Sequence, residues 1–183
     1  MYPLHKLRFI ERTQFFRRMI SIRPADSDDL ILIQQLAHQI WRITFKDILS
    51  DEQINYMLQL MYSLQALQKQ VNEKRHLFII GKYENVDVGF TSYELNYKSS
   101  STKIHKLYVL PSCQGKGLGK RFVEEIAISA LHNNNDKLLL NVNKKNPAIL
   151  FYEKIGFRQV AQETISIGNG YVMDDYVMEK SLT

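Results

Sequence analysis

The 183-residue chain contains one cysteine, Cys113, four prolines and a single tryptophan. One thiol cannot close an internal disulfide, and without a Cys/His cluster around it Cys113 offers no zinc site. No stretch approaches the roughly 18 consecutive apolar residues of a membrane-spanning helix, and the N-terminus lacks the apolar run and small-residue cleavage site of a secretory signal. No internal repeat is visible. These absences lead to an expectation of a cytoplasmic protein. The residues that are present agree with a packed core: 45% are hydrophobic and 23% charged, which excludes a disordered or fibrous chain. A chain of this length is expected to form one domain that buries roughly two-thirds of its unfolded surface.

The formal net charge of +5 raises the question of a nucleic-acid partner, so its distribution matters. Lys6, Arg8, Arg12, Arg17 and Arg18 stand against Glu11, so most of the excess lies ahead of residue 19. The chain therefore reads as a basic N-terminal extension, 1–18, followed by one nearly neutral domain, 19–183, with Met19 as an alternative start. Neither nucleic acid nor membrane is expected as a partner.

Periodicity then gives the order of elements. A strand at 19–23 leads through Pro24 to a helix over 27–40 capped by Asp26, with Leu30, Ile33, Leu36, Ala37 and Ile40 at helical spacing. Ser50 or Asp51 starts a second helix carrying Ile54, Met57, Leu58 and Met61 on one face, and a third runs over 64–73. Strands at 76–83 and 86–96 meet at Glu84-Asn85, a tight hairpin turn. A strand over 102–110 ends at Pro111, a helix occupies 117–133, and a buried strand occupies 137–142. Pro147 opens a short helix that stops at Gly156, and strands at 157–167 and 171–180 flank Gly168-Asn169-Gly170. The class is α/β with a mixed sheet.

Chemistry concentrates between Lys106 and Lys120. Gly115, Gly117 and Gly119 let the backbone turn sharply from strand into helix and approach a ligand without Cβ interference. Their amides pool at a helix N-terminus, an anion site suited to a pyrophosphate, with Lys116 and Lys120 adding positive charge. The segment has no Gly-Lys-Ser/Thr ending, and no Gly-x-Gly-x-x-Gly with a following acid, so neither common nucleotide fingerprint fits.

Three motifs together resemble the GNAT superfamily of N-acetyltransferases: Gln114-x-x-Gly117-x-Gly119 after a strand, the opening Ile22-Arg23-Pro24-Ala25-Asp26 junction, and Asn146-Pro147-Ala148 through Tyr152 to Phe157. Trp41-Arg42-Ile43-Thr44-Phe45, the helix start at Leu49-Ser50-Asp51 and the ending from Ile167 to Lys180 are similar to the branch that holds PaiA-type polyamine acetyltransferases. The resemblance implies the GNAT acyl-CoA acyltransferase fold, a mixed central sheet with two splayed strands flanked by helices. It also implies acetyl-CoA as cosubstrate. Pantetheine would pair with the main chain of Leu107, Tyr108 and Val109, and the pyrophosphate would sit on the amides of Gln114, Gly115, Lys116, Gly117, Leu118, Gly119 and Lys120. Asn146 would lie near the thioester sulfur, and Tyr152 would protonate the leaving thiolate.

The remaining role, a proton acceptor for the attacking amine, falls to His105. Strand alternation puts Lys103, His105, Leu107 and Val109 on one face. The acceptor pocket is expected among Trp41, Arg42, Phe45, Tyr93, Glu94 and Tyr171, with Glu94, Asp174 or Asp175 attracting a cationic amine. The expected partner is a small-molecule amine, with a homodimer left open. Two further readings stay open at this point: acetylation of a protein N-terminus or lysine, and a non-catalytic coenzyme A-binding module.

Overall fold

The computed structural model describes residues 19–183; the expected basic extension lies outside the described residues. In chain order the elements are β1 (Ile20–Pro24), α1 (Leu30–Thr44), α2 (Asp51–Tyr62), α3 (Leu64–Asn72), β2 (Leu77–Tyr83), β3 (Val86–Lys98), β4 (Ser101–Val109), α4 (Leu118–His132), β5 (Lys137–Asn143), α5 (Ala148–Lys154), β6 (Arg158–Gly168) and β7 (Tyr171–Ser181). The strands form one sheet in the order β1-β2-β3-β4-β5-β7-β6. Only β4 and β5 run parallel; the other neighbours are antiparallel. No helix among the described residues is long and apolar enough to cross a membrane.

The helices follow their apolar stripes. In α1 the buried set is Leu30, Ile33, Leu36, Ala37, Ile40 and Trp41, spaced as one face of a 3.6-residue period. Its start differs from expectation by three residues, because the acids ahead of it have other partners. Asp26 accepts from Asp28 N at 3.0 Å and closes a turn, while Asp29 takes a two-pronged grip from Arg23 at 2.6 and 2.7 Å. Ser50 caps α2 by accepting from Gln53 N at 3.2 Å, and Ser63 caps α3 by accepting from Ala66 N at 3.3 Å. Glu84 and Asn85 both have positive φ, 52° and 66°, as a two-residue hairpin turn with matched twist requires.

The sheet carries a core on each side. One packs α4 and α5 around Phe122, Ile126, Leu140 and Phe157. The other packs α1, α2 and α3 around Trp41, Tyr62, Ile80 and Phe90.

Strand β4 is irregular in two places. Ser92 pairs with Lys106 but Tyr93 pairs with Ile104, so His105 is the extra residue of a β-bulge. The buried hydroxyl of Thr91 fastens this point by donating to the Lys106 carbonyl at 2.6 Å. The bulge advances the side-chain phase by one. Leu107 and Val109 therefore pack with the α4 side, whereas Tyr108 joins the α1–α3 side, Lys106 meets the rings of Tyr62 and Phe78, and His105 meets His76. The common face expected for Lys103, His105, Leu107 and Val109 is thus broken, since strict alternation assumes an unbulged strand. The second irregularity is that β4 pairs with β5 only from Ser101–Lys137 to Ile104–Leu140, after which the strands part.

The bulge also turns Lys106 inward, with its ammonium 5.4 Å from the Tyr62 ring centroid and 6.0 Å from that of Phe78. Burial, with repulsion from Lys74, brings its pKa down from 10.5 to about 7. Between about pH 7 and 10.5 the unfolded chain holds a proton that the folded chain releases, so this group makes stability rise with pH across that window and lowers it below. Lys106→Met keeps the length and removes the charge. Thermal melts are expected to show the variant more stable by on the order of 5 °C at pH 6, with the gap closing towards pH 10. An equal gap at both pH values would show that ionisation is not the cause.

Candidate active site

Where β4 and β5 part, a cleft of about 970 Å³ runs through the sheet. Trp41, Phe45, Met57 and Tyr62 wall it on one side, and the turn before α4 together with α5 walls it on the other. His105, Asn146, Tyr152 and the expected ligand-binding residues of β4 and the glycine turn all border it, with one exception. Lys116 turns away and lies 4.1 Å over the Tyr83 ring.

The turn is built to leave amides free. Gln114 N bonds the Pro111 carbonyl at 3.2 Å, and the next donor in the chain to close a bond is Arg121 N, to the Gly117 carbonyl at 3.0 Å. The amides of residues 115–120 lie ahead of the first α-helical bond, where the positive end of the helix dipole is felt. Gly117 is the N-cap with φ 100°, a left-handed conformation that disfavours a side chain. Gly119 is needed for space instead, because a Cβ there would come within 3.1 Å of the Phe151 ring. Gln114 braces the turn by donating from Nε2 to the Val109 carbonyl at 3.1 Å.

At the waist of the cleft, Tyr152 packs between Phe151 and Phe157, with centroids at 5.2 and 5.7 Å. Burial raises its phenol pKa well above the ordinary value near 10. Asn146 uses Oδ1 to accept from Ala148 N at 2.9 Å and so starts α5, which leaves its Nδ2 for a ligand.

The far end is polar and acidic. Asp175 is only 6% exposed and borders the cleft; burial lifts its carboxyl to about 6, against the pull of Lys103. Lys103 contacts the Asn141 side-chain oxygen, and Asn141 Nδ2 donates to Glu163 Oε2 at 3.0 Å. His105 Nε2 lies 3.0 Å from Glu94 Oε2. Burial, reinforced by His76 and the lysines at 106, 103 and 74, holds the imidazole far below its ordinary 6.5, so it is neutral at pH 7.

Of the residues expected in the acceptor pocket, Trp41, Phe45 and Asp175 border the cleft. Arg42 instead reaches Asn55 at 2.9 Å, and Tyr93 bonds Ser129 on the opposite side of the sheet at 3.2 Å. Glu94 serves His105, and Asp174 pairs with Lys144 at 2.7 Å. Tyr171 stacks on Tyr56 at 5.5 Å, and the Tyr56 hydroxyl donates to the Ile167 carbonyl at 2.6 Å, strapping α2 to the β6–β7 hairpin. Sequence reasoning missed Lys103, Asn141 and Glu163. They lie on three strands that meet only in the folded sheet, and none belongs to a local pattern.

The sequence profile of a family described as "Acetyltransferase (GNAT) domain" matches residues 45–180. A 5-NmdU N-acetyltransferase of Pseudomonas phage PaMx11 is 32% identical over 95 residues, covering 51% of this chain and 64%, less than two thirds, of that protein. A spermidine N(1)-acetyltransferase of Thermoplasma acidophilum is 25% identical over 166 residues, which is 88% of this chain and 96% of the other. Among solved structures, the PaiA N-acetyltransferase from Thermoplasma acidophilum in complex with coenzyme A superposes with a TM-score of 0.74 at 23% identity, over 88% of this chain and 98% of that one. The yncA protein of Salmonella typhimurium with acetyl-CoA gives 0.61 at 20% identity, over 90% and 95% of the two chains. These likenesses show a shared fold.

Proposed function

The chain belongs to the GNAT acetyltransferase family, and from that premise we propose that it transfers the acetyl group of acetyl-coenzyme A to a primary amine of a small molecule, with polyamines as the leading class. The observation that carries this reading is the two-ended cleft, with an anion-binding helix turn at one end, buried acid at the other and a gap in the sheet between them. The spermidine acetyltransferase relative and the coenzyme A-bound fold neighbour support both ends of the assignment.

Each portion of the cosubstrate has a fitting counterpart. The amides of residues 115–120 and the ammonium of Lys120 suit the pyrophosphate. The flank of β4 beyond Ile104, at Leu107, Tyr108 and Val109, has no β5 partner and suits the amides of pantetheine. Asn146 Nδ2 suits the region of the thioester. For the acceptor, Asp175 and Glu163 favour a cationic amine, and the rings of Trp41 and Phe45 suit an aliphatic spacer.

The amine must lose a proton before it attacks the thioester carbonyl carbon. Neutral His105 accepts that proton against the burial and the lysine charges that disfavour an imidazolium, and Glu94, 3.0 Å away, offsets part of that cost. Nitrogen bonds the carbonyl carbon, the carbon–sulfur bond breaks, and the thiolate takes the proton of the Tyr152 phenol. Burial keeps that phenol protonated across the neutral range, and the same dry surroundings raise the thiolate's affinity for its proton.

Thiol release from acetyl-coenzyme A, measured across spermidine, aminoglycosides, amino acids and peptides, is expected to be fastest with spermidine-like amines; a uniform blank overturns the proposed activity. Tyr152→Phe is expected to lower kcat about 100-fold with little change in KM for acetyl-coenzyme A. An unchanged kcat removes Tyr152 from the mechanism. His105→Ala is expected to lower kcat by a similar factor, about 100-fold, across the neutral range, where the wild-type imidazole is already unprotonated. An unchanged kcat assigns the proton to another group.

A further inference from the structure

His76 takes no part in the proposed acetyl transfer, yet it stands in the most unusual side-chain cluster among the described residues. It lies just ahead of β2, held by its backbone N–H donating to the Gln70 carbonyl at 3.0 Å, and its ring stacks on that of His105 at 3.9 Å with 14° between the planes. Glu94 of β3 completes the group. One ligand atom from each of His76, Glu94 and His105 falls within 4.8 Å of the other two.

The second observation concerns His76 alone. The residue is 7% exposed, and its Nδ1 is buried with no hydrogen-bond partner. Leaving such an atom unsatisfied is costly, so the position calls for a ligand. A proton is a poor one, since burial, together with Lys106 and Lys74, brings the imidazole down to about 4. Two neutral imidazoles with available lone pairs beside a carboxylate form a nitrogen and oxygen donor set suited to zinc and its neighbours in the first transition row. Three protein ligands also leave a position for water, and the side chains of Glu94 and His105, 25% and 21% exposed, give solvent access.

We propose that His76, Glu94 and His105 form a binding site for a divalent transition-metal ion of the zinc class. Two features oppose binding and set its strength. The ammonium groups of Lys74, Lys103 and Lys106 repel a cation, and a metal lies in the plane of each imidazole that holds it, so the stack must open about the ring torsions. Occupancy of the site engages the lone pair of His105 and acts as a brake on acetyl transfer; that consequence rests on the role proposed for His105, whereas the binding does not.

The test is a Co²⁺ titration of the full chain followed by visible d–d absorption, with Zn²⁺ as competitor. One equivalent of Co²⁺ is expected to give a band that Zn²⁺ removes. His76→Ala and Glu94→Gln are each expected to weaken binding on the order of tenfold or more, while His132→Ala leaves it unchanged. A band that survives His76→Ala, or no band at all, overturns the site. Should His76→Ala fail to fold, ¹⁵N resonances of the histidine rings in the unaltered chain decide: those of His76 and His105 are expected to shift with Zn²⁺, and unshifted resonances overturn the site equally.

Discussion

The parting of β4 from β5 beyond Ile104 is the constraint on which the rest of the molecule depends. Backbone amides and carbonyls inside a sheet are satisfied by the next strand, and a flank without a neighbour is tolerable only where water or a ligand replaces it. The bulge at His105 begins where that flank begins. It adds twist, sends Leu107 and Val109 towards α4, and sends His105 and Lys106 towards the opposite core. A single inserted residue thus sends neighbouring residues of one strand to opposite cores.

Burial then sets the state of three titratable side chains. Lys106 is brought to about 7, Asp175 to about 6 and His76 to about 4, each towards its neutral form, with desolvation as the leading cause in all three. Lys106 and Asp175, which border the cleft and would be fixed charges in water, become groups whose state depends on what surrounds them. An arriving ammonium favours ionised Asp175, and a dry site strengthens that attraction beyond what the same pair would have at the surface.

Much of the fold is legible in the sequence because its signals are local. The stripe from Leu30 to Ile40, the cap at Ser50, the Glu84-Asn85 turn and the glycines ahead of α4 each declare themselves within a few residues. The helix start at Leu30 is harder to place because Asp26 looks like a cap, and only the fold reveals that it accepts from Asp28 N and closes a turn instead. The bulge is hidden for a related reason, since it exists only in the register between two strands. The residues expected on the glycine turn follow one continuous segment, and all but Lys116 border the cleft. The polar end of the cleft draws on β3, β4, β5, β6 and β7, and His76 stands in a position with no pattern to mark it.

The strap from Tyr56 to the carbonyl of Ile167 spans 111 positions of sequence. The entropy of closing a loop grows only with the logarithm of its length, so a tie of this reach costs little more than a local one. One hydroxyl thus joins the second helix to the final hairpin, and segments separated by more than half of the chain share a wall of the same cleft.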